Sequence, residues 1–147
     1  MRDTREAFRQ AGLRYTRQRG AVYAALGATT SHPTAEELHE IVRHEAPGLS
    51  LATVYNTLEA LCESGLCRRL PSAAGVCRFD ADTSEHVHVV LPDGRVLDVP
   101  GDMGRRLLAC VPDALVQELE SRVGAPLGGL GVQLVAFSRP GAPDALR

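Results

Sequence analysis

Apolar residues recur at every third or fourth position in the segment that follows Pro47-Gly48. Four of them share one face of a helix at this spacing: Leu51, Val54, Leu58 and Leu61. Ser50 stands directly before them and can cap the first turn. The opposite face carries uncharged hydrogen-bonding side chains, which suit base edges and phosphates. These are Thr53, Tyr55, Asn56 and Thr57. The pattern predicts a DNA-reading helix, with an ordinary amphipathic surface helix as the alternative.

Three further helices are predicted before this one, over residues 2–11, over residues 17–26, and from Thr34 to about Ala46. Thr34 and Glu37 have the spacing of a capping box, in which each side chain binds the backbone amide of the other residue. Pro47 then ends the third helix, because a residue before proline avoids the helical conformation.

Two short strands are predicted after the polar helix, over residues 66–70 and 75–79, joined by a turn rich in Pro, Ser and Gly. Helices followed by a β-hairpin are typical of a winged helix-turn-helix, in which the last helix enters the major groove and the hairpin lies along the backbone. We therefore predict a DNA-binding domain over residues 1–80.

The second half of the chain has a different pattern. Runs rich in β-branched residues at 87–91 and 95–99 flank Pro92-Asp93-Gly94 and predict an antiparallel hairpin. A helix over 113–123 and a strand over 132–137 follow, before a loose tail at 138–147. The fold class is thus α+β, an N-terminal winged helix-turn-helix followed by a small α/β dimerisation domain over residues 85–137. So small a domain is expected to complete its core with a second copy.

Charge is distributed unevenly along the 147 residues, although the formal net charge is only −2. Residues 1–78 hold 10 arginines and 8 acidic residues (+2), and residues 79–147 hold 6 arginines and 10 acidic residues (−4). A basic first half fits a nucleic-acid-binding domain. The chain has no long apolar run and no signal-peptide pattern, so we expect a cytoplasmic protein.

The four cysteines, Cys62, Cys67, Cys77 and Cys110, contain no C-x-x-C pair. A cytoplasmic setting argues against disulfides. We expect them to be mostly buried small apolar residues and not to form a metal site.

Two histidines separated by one residue, His86 and His88, project from the same face of a strand and so form a chelating pair. Carboxylates flank them at Asp80, Asp82 and Glu85, and Asp98 lies on the partner strand of the same hairpin. Imidazole and carboxylate ligands without a thiolate favour Fe(II) or Mn(II), and Zn(II) can compete. The alternative is a half-exposed strand with polar residues at alternate positions.

Four motifs in order resemble those of the ferric uptake regulator (Fur) family of metal-dependent repressors. They are residues 13–19, 32–38 and 51–58, and Arg78-Phe79-Asp80 followed by the His86/His88 pair. The resemblance implies a regulatory metal site at His32, Asp80, His86, His88 and Asp98. Three histidines with two aspartates look most like the peroxide-sensing PerR branch, in which hydrogen peroxide reacts with bound Fe(II) and oxidises a ligand histidine. His32 and His86 are the candidates for that oxidation.

For DNA contact, the predicted residues are Arg14, Thr53, Tyr55, Asn56 and Thr57. Arg14 resembles the basic residue with which the family enters a narrow, A/T-rich minor groove, so an A/T-rich inverted repeat is the expected operator.

One departure from the family concerns its cysteines. The C-x-x-C pairs that commonly hold a structural zinc are replaced by Leu91-Pro92-Asp93-Gly94 and Ser138-Arg139-Pro140-Gly141. We therefore expect no structural four-cysteine zinc, and a homodimer held by apolar packing of the last helix and strand.

Three functions remain open from the sequence. The favoured one is a metal-dependent, homodimeric repressor of metal-homeostasis or peroxide-stress genes, which is not an enzyme. The second is a metal-independent winged-helix regulator with a vestigial site. The third is a non-haem iron enzyme built on His86, His88 and a carboxylate.

Overall fold

The computed structural model describes residues 4–71, 75–126 and 132–137. Its helices are α1 (Thr4–Gln10), α2 (Arg17–Gly27), α3 (Ala35–Val42), α4 (Leu51–Glu63), α5 (Gly101–Leu108) and α6 (Asp113–Val123). Its strands are β1 (Arg68–Pro71), β2 (Cys77–Asp80), β3 (His88–Val90), β4 (Val96–Asp98) and β5 (Gln133–Val135). The predicted α+β class is confirmed, whereas the predicted tail at 138–147 lies outside the described residues.

Side-chain caps start α3 and α4 at the positions that the sequence predicts. The hydroxyl of Ser50 accepts a hydrogen bond of 3.1 Å from the amide of Thr53 at the start of α4. Thr34 and Glu37 form both bonds of the predicted capping box, at 3.0 and 3.2 Å. Helix α3 is shorter than predicted and ends at Val42, with turns over the next three residues.

The N-terminal core lies among α1, α2, α3 and α4, with the β1–β2 hairpin closing one side. Its most completely buried side chains are apolar: Phe8, Val22, Leu26, Leu38, Val54, Leu58 and Leu61. Complete burial of one such side chain stabilises the folded state by about 1.5 to 3 kcal/mol. This core fixes α4 against the helices before it and against the hairpin that follows, in the arrangement of a winged helix.

A three-stranded sheet with the order β4-β3-β5 forms the second half. Strands β3 and β4 form the predicted antiparallel hairpin, in which His88 pairs with Asp98, while β5 runs parallel to β3. Val90 and Val96 pack with Leu70 of β1 in a small separate core. The first hairpin is therefore joined to the second sheet by apolar contact as well as by the chain.

The sequence pattern does not predict helix α5, because this segment contains two glycines and follows a proline. Gly104 is buried, and a Cβ there would lie 3.8 Å from the carbonyl oxygen of Val99 and 3.9 Å from the Val87 side chain. These are ordinary van der Waals distances, and α5 packs here against the residue just before β3. Within the described residues, no helix has the length and apolar character needed to cross a membrane.

The cysteines correct one expectation. Cys67 is buried and Cys62 is half-buried, but Cys77 and Cys110 are exposed. Cys77 begins the edge hairpin strand β2, and Cys110 lies in the turn after α5, so neither has a core beside it.

Candidate metal centre and nucleic-acid interface

Five polar side chains from distant parts of the chain meet between the two halves of the structure. Asp80 ends β2, His88 begins β3 and Asp98 ends β4. His32 lies in the loop before α3, and His86 lies two residues before His88. The structure thus brings together all five residues that the resemblance indicates, with His32 and Asp80 from the N-terminal half and the other three from the second.

The donor atoms of this cluster are spaced like the ligands of one metal ion. His86 Nε2 lies 3.2 Å from Asp80 Oδ2 and 3.3 Å from Asp98 Oδ1. His88 Nε2 lies 3.4 Å from the same two oxygens. His32 Nε2 lies 2.8 Å from Asp98 Oδ1. Donor atoms that share one ion at about 2.1 Å lie about 3.0 to 3.4 Å apart at octahedral or tetrahedral angles.

Three of these donors are buried without a hydrogen-bond partner among the described residues: Asp80 Oδ2, His86 Nε2 and His88 Nε2. These atoms lie at hydrogen-bond distances from one another, but their angles do not fit a hydrogen bond. The atoms therefore face a common point and not one another. Leaving buried polar atoms unpaired costs about 1 to 3 kcal/mol each. A cation at that point would satisfy all three, so these residues fit a metal ion.

Surrounding groups orient the candidate ligands. His86 Nδ1 donates a hydrogen bond of 2.9 Å to the carbonyl oxygen of Ser84, which leaves the lone pair on Nε2, facing the cluster. The amide of Asp82 donates to Asp80 Oδ1 at 2.7 Å. Asp82 and Glu85 themselves stay outside the cluster: Asp82 binds Ser84, and Glu85 is exposed.

Burial by itself raises the pKa of Asp80, but contact with His88, the Asp82 amide and the nearby rings of His32 and His86 more than offset it and lower that pKa. Asp80 is therefore a carboxylate at neutral pH. A buried carboxylate among imidazoles is a suitable partner for a divalent cation.

Arg78 lies in one of the family-like motifs, but the sequence pattern indicates no role for it. Its Nη1 donates to the carbonyl oxygen of His32 and to Glu37 Oε2, both at 2.9 Å, and its Nε donates to the carbonyl oxygen of Gly94 at 2.9 Å. His32 has a positive φ of 48°, which is uncommon for a residue other than glycine. Arg78 thus holds the backbone of a candidate ligand. Arg78 and His32 lie 46 positions apart, so no local spacing rule predicts this contact.

The predicted DNA-contacting residues divide into two groups. Arg14, Tyr55 and Asn56 are exposed, and Thr53 is half-buried. Thr57 is a correction, because it is only 2% exposed and lies with Leu58 on the inner side of α4. It follows Val54 by three residues, and so the helical repeat turns it toward the core rather than toward solvent.

Tyr55 is not free in this structure. It is 46% exposed, and its hydroxyl donates a hydrogen bond of 2.6 Å to Glu36 Oε1 in the first turn of α3. The bond lowers the pKa of Glu36, mainly because the tyrosine hydroxyl stabilises the carboxylate. The ring is thereby held on the outer surface where α3 and α4 meet.

Comparison with known proteins agrees with the fold. The peroxide operon regulator of Bacillus subtilis is 34% identical over 99 residues, which cover 67% of this chain and 68% of that protein. The solved ferric uptake regulator of Pseudomonas aeruginosa with manganese superposes with a TM-score of 0.68 at 26% identity, covering 95% of this chain and all of the other. The peroxide stress regulator of Campylobacter jejuni gives 0.65 at 25% identity, covering 94% and 95%.

The sequence pattern of the ferric uptake regulator family matches residues 10–105, a span that includes all five residues of the cluster and all of α4. The chain therefore belongs to the ferric uptake regulator family.

Proposed function

We propose that the protein is a metal-dependent, dimeric DNA-binding repressor whose regulatory ion is held by His32, Asp80, His86, His88 and Asp98. The observation that carries this proposal is the set of three buried, unpaired donor atoms that converge in a member of this family. Family members are transcriptional regulators and not enzymes, and they bind metal ions such as iron, manganese and zinc.

The ligands join two parts of the molecule. His32 and Asp80 are fixed to the helical half, whereas His86, His88 and Asp98 belong to the sheet that we assign to the dimer. A bound divalent cation supplies positive charge that offsets the two carboxylates. Residues from both halves would then fix the angle between α4 and the sheet. In a dimer, this angle sets the distance between the two α4 helices.

We assign DNA contact to the exposed face of α4, with Tyr55 and Asn56 on base edges and Thr53 near phosphates. Arg14 would enter a narrow minor groove beside it, which favours an A/T-rich inverted repeat as the operator. Family members bind DNA and act as dimers. We place this activity in the cytoplasm, on the genomic DNA.

The ligand set supports a peroxide response with Fe(II) or Mn(II) as the regulatory ion. It contains three imidazoles and two carboxylates, and the relatives at 34% identity are peroxide regulators by name. Iron would make the site sensitive to hydrogen peroxide, which adds one oxygen atom to a ligand imidazole and releases the other as water. His32 and His86 are the candidate targets.

The deciding experiment is fluorescence anisotropy of a labelled fragment of the gene's own promoter region. The full-length protein and His86→Ala are titrated with Mn(II), anaerobic Fe(II), Zn(II) or chelator present. We expect affinity to rise by at least about tenfold with Mn(II) or Fe(II), a coupling of roughly 1.4 kcal/mol, and the variant to lose this gain. Equal binding with chelator would instead favour the metal-independent regulator.

Adding hydrogen peroxide to the Fe(II) and Mn(II) complexes separates a peroxide sensor from a metal sensor. Release of DNA from the Fe(II) form alone, with one oxygen atom added to the tryptic peptide of His32 or His86, supports the peroxide response. Retention of DNA in both forms supports a sensor of the metal itself.

A further inference from the structure

Two thiols face each other at the base of α4, outside the metal centre. Cys62 lies in the last turn of α4 and Cys67 directly precedes β1, and their Sγ atoms are 3.2 Å apart. A disulfide requires this distance to fall to about 2.0 Å, a movement that side-chain rotation and a small backbone shift can supply. The pair is therefore close enough to be joined without unfolding α4.

The turn between α4 and β1 brings the two thiols together. Gly65 adopts a left-handed φ of 72°, which turns the chain back at the end of the helix. The amides of Leu66 and Cys67 then both donate to the carbonyl oxygen of Leu61, at 2.9 and 3.3 Å. Backbone hydrogen bonds thus hold Cys67 beside the last turn of α4.

The two thiols differ in their surroundings. The S–H of Cys67 and then the guanidinium of Arg69 lower the pKa of Cys62, against the opposing effects of burial and of the Glu59 carboxylate. The same hydrogen bond, together with deeper burial, raises the pKa of Cys67. Cys62 is also the more exposed of the two. Cys62 is thus suited to act as the nucleophile, and Cys67 as the thiol that resolves the product.

We propose that Cys62 and Cys67 form a redox-active dithiol that hydrogen peroxide or a small organic hydroperoxide oxidises to an intrachain disulfide. The thiolate of Cys62 attacks one peroxide oxygen, the O–O bond breaks, and the products are a sulfenic acid and hydroxide, which takes up a proton. The sulfur of Cys67 then attacks the Cys62 sulfur, and its proton leaves with the hydroxyl group as water. The two thiols lose two electrons in total, and hydrogen peroxide is reduced to two water molecules.

The disulfide would connect the end of the helix assigned to DNA contact with the first strand of the hairpin. Neither sulfur belongs to the five-residue cluster, so this oxidation needs no metal ion. The proposal therefore adds a thiol-based response to peroxide that is chemically separate from the metal centre.

Peptide mapping of the oxidised full-length protein tests the proposal directly. Trypsin cleaves after arginine and releases residues 44–68 as one peptide with both cysteines, while Cys77 and Cys110 fall in peptides 70–78 and 107–122. The protein is treated briefly with hydrogen peroxide in the presence of chelator, so that no bound metal contributes. It is then unfolded, alkylated and digested.

We expect peptide 44–68 to appear unalkylated and lighter than the reduced peptide by two hydrogen atoms. This species should form at least about tenfold faster than alkylation is lost at Cys77 and Cys110, which act as internal controls. A peptide 44–68 that stays doubly alkylated would overturn the proposal, and so would equal rates of loss in all three peptides.

Two variants test the assigned roles. With Cys67→Ser, dimedone should trap a sulfenic acid on Cys62, because the resolving thiol is gone. With Cys62→Ser, Cys67 should stay unmodified under the same conditions. Absence of an adduct in the first variant, or equally fast trapping in the second, would contradict the assignment of Cys62 as nucleophile. The wild-type mapping decides the proposal even where a variant is poorly folded, and it does so whether or not the protein responds to metal.

Discussion

At the scale of single residues, Arg78 connects three segments that surround the metal centre. Its guanidinium reaches the carbonyl oxygens of His32 and Gly94 and the carboxylate of Glu37. We expect Arg78→Met to lower the affinity for Mn(II) by about tenfold or more, because groups that position metal ligands contribute on this scale. Isothermal titration calorimetry of the folded variant measures the change.

Arg69→Met is the matched control, since it removes an arginine from the same hairpin. Arg69 lies half-exposed near Glu59 at 3.7 Å, a surface contact worth little. The control should bind Mn(II) as the wild type does. Wild-type affinity in Arg78→Met as well would show that Arg78 does not support the centre.

The structure brings predicted residues together where chemistry and spacing coincide in the sequence. The His86/His88 pair and Asp98 stand out because the hairpin pairs His88 with Asp98 directly. Arg78 was missed because its contacts join segments that are distant in sequence. Thr57 was placed wrongly because residue type alone does not show on which side of the apolar stripe a threonine lies.

At the scale of elements, α4 presents a narrow polar surface that is set by its contact with α3. We expect Tyr55→Ala to weaken operator binding by about tenfold or more, since it removes both a large exposed ring and its hydroxyl. Thr57→Val should change affinity by less than about twofold, because Thr57 is buried and the substitution nearly preserves its shape. Anisotropy titrations on one DNA fragment, with circular dichroism to check folding, compare the two variants. An unchanged affinity in Tyr55→Ala would remove this residue from the interface.

Element prediction succeeded wherever local signals agreed. Helices α2, α4 and α6 follow their apolar repeats, α4 also follows its Ser50 cap, and the β3–β4 hairpin follows its Pro-Asp-Gly turn. Helix α5 was not predicted because Gly101 and Gly104 lower its helix propensity. The parallel pairing of β5 with β3 depends on tertiary contact, which a linear pattern does not encode.

At the scale of the whole molecule, the described part of the second half leaves many large apolar side chains exposed. The side chains concerned lie on α6, on β5 and just after it: Leu115, Leu119, Val123, Leu134, Val135 and Phe137. Helix α6 has no buried residue in the described structure. Apolar surface on this scale marks an interface, and regulators of this family act as dimers. The metal centre can set the angle between two α4 helices only if this interface holds the second copy.

A charge placed in that surface should separate dimerisation from folding. We expect Val135→Glu, which alters a side chain that is 49% exposed in the single chain, to convert the dimer to a monomer. The buried carboxylate would face the apolar side chains of its partner without a compensating group, at a cost of several kcal/mol. Size-exclusion chromatography with light scattering measures the mass of each species.

Ile41→Glu is the matched control, because Ile41 is 46% exposed on α3 in the other half of the molecule. It should remain a dimer. The monomeric Val135→Glu should still bind Mn(II), since all five candidate ligands come from one chain, yet lose most of its affinity for a two-half-site operator. A Val135→Glu protein that stays dimeric would place the interface elsewhere. A monomer that no longer binds Mn(II) would mean that dimerisation, and not only the fold of one chain, builds the metal centre.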